Sequence, residues 1–202
     1  MTDSLDTLSR QLEAARRAPG GPPVEQWDPP LSGEIDIRIL ADGSWVHEGE
    51  PIRREALVRL FASILRREDD GAYYLVTPVE KWRITVELHP LVVEDVEAVE
   101  EGGQVTLLAT CNTGRQVPID AGHPLFTEPQ AAGAAVVRLE RGLTALFSRK
   151  AWPRLVDLAV DEDGDAGGAL HLQRGLERID GHENHSEARR ARRLLPAAPD
   201  RG

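Results

Sequence analysis

The chain has 202 residues, enough for one generous domain or two small ones, and 41% of them are hydrophobic and able to build a core. Its 24 basic residues against 34 acidic ones leave a net charge of -10, which argues against general nucleic-acid binding. A single cysteine, Cys111, excludes an internal disulfide, and no apolar run reaches signal-peptide or membrane-span length, so the expected location is the cytoplasm.

Residues 1–26 read as a short amphipathic helix on Leu5, Leu8, Leu12 and Ala15, followed by a Pro- and Gly-rich arm. Trp27 is expected to pin that arm to the body. A first α+β unit is expected over 27–98. Ile35, Ile37 and Ile39 alternate as in a half-buried strand, and Asp42-Gly43 makes a hairpin turn because glycine tolerates positive φ. The returning strand covers 44–47, and 49–51 forms a second turn. Leu57, Leu60, Phe61, Ile64 and Leu65 line one face of a helix, with Arg59, Arg66 and Arg67 turned to solvent. Asp69-Asp70-Gly71 ends that helix. Strands follow over 73–76 and on Trp82, Ile84, Val86 and Leu88.

A second unit is expected over 99–182. Gly102-Gly103 turns the chain before the alternation Val105, Leu107, Ala109 and Cys111, and Asn112-Thr113-Gly114 turns it again before Val117 and Ile119. The stretch 130–135 reads as loop, and 137–147 as two short strands around Gly142. A helix then carries Trp152, Leu155, Val156 and Ala159 on one face, with Pro153 in its tolerated first turn. An acidic loop over 161–168 precedes a closing strand over 169–179. Residues 183–202, with Arg189, Arg190, Arg192 and Arg193, form an Arg-rich tail expected to be poorly ordered. A shift of 98 residues carries Leu57-Val58-Arg59-Leu60 onto Leu155-Val156-Asp157-Leu158 and Tyr73 onto His171, which suggests two related units.

Known chemical motifs are few. Neither a Gly-rich phosphate loop nor a G-x-S-x-G nucleophile elbow is present. Asp161, Asp163 and Asp165 imitate the start of a calcium loop, but Ala166 and Leu172 stand where glycine and a bidentate glutamate are needed. His182 and His185 lack the H-E-x-x-H spacing, so neither metal nor cofactor is expected. Cys111 continues an apolar alternation and reads as a buried inert thiol rather than a nucleophile served by His89 or His123, which precede prolines and read as turn residues. Thr77-Pro78-Val79-Glu80-Lys81 carries one of only two lysines. It reads either as a turn with a surface Glu80–Lys81 pair or as a ligand-facing loop.

Several segments together resemble a bacterial family of unknown function, DUF 1285: Asp42-Gly43-Ser44-Trp45, Gly49-Glu50-Pro51-Ile52, Leu57 to Arg66, Tyr74 to Lys81, His123-Pro124-Leu125, Gly142-Leu143, and Arg149 with Leu155-Val156. The likeness spans about residues 24–165. It implies a duplicated core of two small units, the second superficially like a pleckstrin-homology fold, and a ligand pocket between them with a suspected role in signal transduction. Two positions depart from the expected pattern: His89 stands where an acidic residue should precede the proline, and Cys111 interrupts Thr110 and Asn112.

The reading that follows is an α+β ligand-binding or signalling module of two antiparallel-sheet units, each with one main helix. Thr77, Lys81, Asn112 and Arg149 are the candidate residues of an inter-unit pocket for an anionic, nucleotide-like small molecule. Lys81 and Arg149 would supply its positive charge, Arg149 near a helix N-terminus. The alternatives are a protein-interaction module with no small-molecule site and a hydrolase with an unfamiliar carboxylate–His pair.

Overall fold

The computed structural model describes residues 22–129 and 133–161. The expected helix before residue 18, the strand over 169–179, the His182–His185 stretch and the Arg-rich tail lie outside the described residues. The Ile35–Ile39 alternation becomes β1 (Leu31–Ile39), and Gly43, at φ 82°, turns the chain into β2 (Trp45–His47). A two-residue β3 (Glu50–Pro51) occupies the expected second turn and leads to helix α1 (Glu55–Ser63). Leu60 and Phe61 are its buried face. The helix stops at Ser63, short of its expected end, and Leu65 opens a new strand, β4 (Leu65–Arg67), opposite Leu75. The helical spacing of Leu65 is overridden because 65–67 find a strand edge on β5 (Tyr73–Val76), itself paired to β6 (Lys81–Val86).

The second unit contains β7 (Leu91–Glu101), β8 (Gln104–Cys111), β9 (Gln116–Ile119), β10 (Leu125–Glu128), β11 (Ala134–Arg138) and β12 (Thr144–Phe147). Helix α2 (Ala151–Asp161) follows. Both sheets have six strands in the same order, β3-β2-β1-β6-β5-β4 and β9-β8-β7-β12-β11-β10. In each, the first and last strands meet at the centre as a parallel pair, so the sheets are mixed rather than purely antiparallel. The units are therefore similar, but not in the register of the 98-residue shift. Helix α1 lies between the third and fourth strands of its unit, whereas α2 follows the sixth. By strand order β5 matches β11, and His171 lies outside the described residues. The first sheet ends at Val86 and the second begins at Leu91, so the expected division between 98 and 99 falls inside β7.

The buried side chains of both sheets form one continuous core, running from Phe61, Ile64 and Leu75 to Val93, Val137 and Phe147. On α2 the inward face is Ala151 and Leu155, while Trp152 and Val156 are exposed; the helix packs along β7 on a face that keeps Leu155 of the expected stripe but is rotated towards Ala151. Arg66, expected in solvent, is turned inward. Its Nη1 donates to the carbonyls of Val24 and Trp27, which ties the N-terminal arm to β4. Trp27 packs on the core, as its position in the arm implies.

Candidate functional site

The structure puts the four sequence candidates to separate uses. Thr77 is fully buried, and its Oγ1 accepts from the backbone N–H of Val79 and Glu80 while donating to the Glu80 carbonyl. It is the internal clasp of the β5–β6 turn. Lys81 bonds Glu68 at 3.1 and 3.2 Å and lies over the Tyr74 ring, so its expected partner Glu80 is not the one it uses. Glu68 is also held by Arg66. Burial works to raise the Glu68 pKa, but hydrogen bonds from Arg66 and Lys81 outweigh it and keep the carboxyl ionised. Asn112 is a strut between units: its Nδ2 donates to the Gly43 carbonyl and its Oδ1 accepts from Val92 N–H. Lys81 sits beside Leu31 at the start of β1, whereas Asn112 reaches the turn beyond the end of β1, so the two occupy opposite ends of that strand. Arg149 is exposed ahead of α2, where Ser148 caps the helix by accepting from Ala151 N–H.

Two clefts lie between the units, neither lined by those four residues. The larger cleft, about 630 Å³, is lined by Pro22, Pro23 and Glu25 of the arm, Arg59 and Ser63 of α1, and Thr113, Arg115, Glu140 and Arg141 of the second unit. Its charges are matched among themselves. Arg115 bonds Glu140, Arg141 Nε lies 3.4 Å from Glu25, and Arg59 pairs with Glu55. Arg141, at φ 58°, also donates to the Ser63 carbonyl at the end of α1, while its own carbonyl accepts from Arg67 N–H. Burial lowers the Arg141 pKa, yet no proton is lost from a guanidinium near neutrality.

The smaller cleft, about 430 Å³, is lined by Arg67 and Tyr73 of the first unit, Leu88 and His89 of the segment joining the units, and Phe126, Glu128, Arg138 and 142–144 of the second. Here the arginines are arranged differently. Arg67 lies 5.5 Å over the Tyr73 ring and Arg138 lies 5.6 Å over Phe126, and no ion pair holds either one among the described residues. Both guanidiniums lie within cation–π reach of a ring; Arg67 Nε donates to the Gly71 carbonyl, and its remaining N–H groups can donate elsewhere. His89 is only 5% exposed. Its Nδ1 is 2.8 Å from Thr144 Oγ1, and its Nε2 is closed to water with no hydrogen-bond partner. Burial lowers its pKa against the pull of Glu128 and with the push of Arg67, so the ring is neutral at physiological pH. Gly142 belongs at this wall because its φ is 68° and an added Cβ would stand 3.1 Å from the Arg67 carbonyl.

Sequence reasoning missed this cleft. Arg67 had been placed on a helix that ends four residues earlier, and Arg138 pointed to no site by itself. A visible signal existed in His89, which breaks the expected family pattern. His123 bonds Asp120 and Glu140 at 3.1 Å each, an arrangement of the carboxylate–His kind, but it does not line either cleft. Cys111 is buried, and burial pushes its thiol up to about 11, so it is inert as a nucleophile. Among the described residues no three His, Cys, Asp or Glu side chains are grouped to hold a metal, and no helix is long and apolar enough to cross a membrane.

Two similar mixed sheets sharing one core, with clefts at their junction, define a two-unit α+β protein. Two family models match it in sequence: the domain of unknown function DUF1285, N-terminal domain, over residues 22–88, and the DUF1285 C-terminal domain over 90–175. The chain belongs to the DUF1285 family. A DUF1285 family protein from Silicibacter pomeroyi DSS-3, known by crystal structure, is 42% identical with a TM-score of 0.62, covering 73% of this chain and 83% of its own. A second, from Shewanella baltica OS155, is 29% identical with a TM-score of 0.50 and covers 60% of this chain and 90% of its own. A search of curated proteins finds no match.

Proposed function

We propose that this protein is a ligand-binding and signalling module whose smaller inter-unit cleft takes a small anionic ligand. The observation that carries the reading is the pairing of Arg67 and Arg138, one from each unit, each against an aromatic ring and without an ion pair among the described residues, in a chain of net charge -10. Two guanidiniums against the one carboxylate of Glu128 make the cleft a local positive exception. In this reading the second unit, six strands followed by α2, serves as a pleckstrin-homology-like platform, the setting is the cytoplasm, and nucleic acid is not a partner. Thr77, Lys81 and Asn112 support the site at a distance by fixing the turn and the joint between units. Arg149 remains a candidate for an outer contact.

The test is a thermal-shift and calorimetric titration with inorganic phosphate, inorganic sulfate and nucleoside phosphates. A ligand at 100 times its dissociation constant stabilises the fold by about 2.7 kcal/mol. The expected result is a shift that disappears in the Arg67→Gln/Arg138→Gln double variant; a shift retained in that variant, or none in the parent, rejects the cleft. A second reading, a protein-interaction module, draws on Leu31 and Val79, 55% and 64% exposed at one end of the first sheet. A flat titration would favour it.

A further inference from the structure

The smaller cleft contains a group that the two arginines do not account for. A neutral imidazole has one donor and one acceptor nitrogen, so the role Nδ1 takes towards Thr144 decides the role left to Nε2. Nδ1 and Thr144 Oγ1 are 2.8 Å apart, and the hydroxyl can either donate or accept. Nε2 has no partner and almost no accessible surface, and His89 lines the cleft, so a group that enters there and moves aside the wall over Nε2 can pair with it. An unpaired buried polar atom carries a desolvation cost that a matching ligand atom would recover. The arginines attract negative charge without distinguishing one anion from another, whereas a directed donor selects for an acceptor oxygen at one point.

We propose that His89 is the specificity-determining residue of this cleft: Thr144 donates to Nδ1, which fixes the proton on Nε2, and Nε2–H donates to an oxygen of the bound oxyanion. The ligand class is an oxyanion whose reading oxygen is unprotonated, such as a phosphate, phosphate ester or sulfate. The inference rests on the anion reading of the same cleft. Thr144 is a positioning residue that acts through the tautomer of His89. Because Thr144 and Arg138 come from the second unit, Arg67 from the first and His89 from the segment joining them, one ligand would engage both units at once.

The experiment uses inorganic sulfate and inorganic phosphate as probes on the full chain, with nitrogen-15 NMR of the His89 ring. Sulfate is informative because it has no proton near neutrality and can only accept. The expected result is the Nε2–H tautomer already in the free protein, a sulfate-dependent change in the Nε2 resonance, and sulfate affinity weakened roughly tenfold in Thr144→Val, a loss the size of one hydrogen bond. His89→Leu should weaken it as much, and His89→Gln, which keeps an amide donor near the position of Nε2, should recover part of the loss. Sulfate binding that needs Arg67 and Arg138 but is unchanged in Thr144→Val and His89→Leu, with no change at the ring, overturns the role of His89 and leaves the anion cleft standing. Failure of the folded parent to bind either probe overturns both.

Discussion

The two inter-unit clefts both carry arginines and glutamate and differ in what those charges face. In the larger one, each arginine has a carboxylate partner: Arg115 with Glu140, Arg141 with Glu25, Arg59 with Glu55. In the smaller one, Arg67 and Arg138 face aromatic rings with no ion pair among the described residues, and buried His89 Nε2 has no hydrogen-bond partner; Arg141 Nε in the larger cleft also lacks a hydrogen bond but has the Glu25 charge beside it. Paired charges hold elements together, whereas unpaired ones in a concave surface remain available to a visitor. In the proposed reading the first cleft serves cohesion and the second recognition.

The sharpest way to break that contrast is Arg141→Ala. It removes a largely buried guanidinium that donates to the Ser63 carbonyl, and should cost about 2–3 kcal/mol in urea unfolding with no change in anion response. An effect on anion affinity at constant stability would reverse the assignment. Thr77→Val should cost about 1 kcal/mol, since two turn N–H groups lose their acceptor, and should likewise leave ligand response alone. A selective loss of binding there would restore Thr77 to the site. Gly142→Ala, forced into positive φ against the Arg67 carbonyl, should cost roughly 1–2 kcal/mol and also weaken anion binding, because it displaces the wall that carries Arg67.

The smallest effect sharpens the comparison through pH. Burial works to raise the Glu140 pKa, but hydrogen bonds from His123, its own backbone and Arg115, with the charge of Arg115, hold it at about 2. A carboxyl whose folded pKa lies below its unfolded value of about 4.3 stabilises the fold above that value, and the contribution fades as pH falls towards 2. Because the side chain is 52% exposed, solvent screening reduces the contribution to about 1 kcal/mol. Glu140→Gln should therefore flatten the acid limb of the stability curve between about pH 4.5 and 2. An unchanged limb would mean the larger cleft is held by shape rather than by charge.

Local pattern alone was enough for most of the strands and for the existence of two helices. Period-two alternation at Ile35–Ile39 and Val105–Cys111, turns at Gly43 and Gly102-Gly103, and the Leu57–Phe61 spacing are short-range features that few folds can contradict. Family membership was legible too, because it rests on the residues themselves. What only the tertiary structure decided is where elements stop and what the charged residues face. Leu65 leaves helix for strand because β5 offers an edge, and that one change turns Arg66 inward and sends Arg67 to the smaller cleft. The parallel β1–β6 and β7–β12 pairs join residues some fifty apart in sequence, beyond the reach of any local pattern. For the same reason the proposed site moved from Lys81 and Arg149 to Arg67, Arg138 and His89: whether a cation is free is settled by its neighbours in space, Glu68 for Lys81, Tyr73 for Arg67 and Phe126 for Arg138, and no local pattern names them.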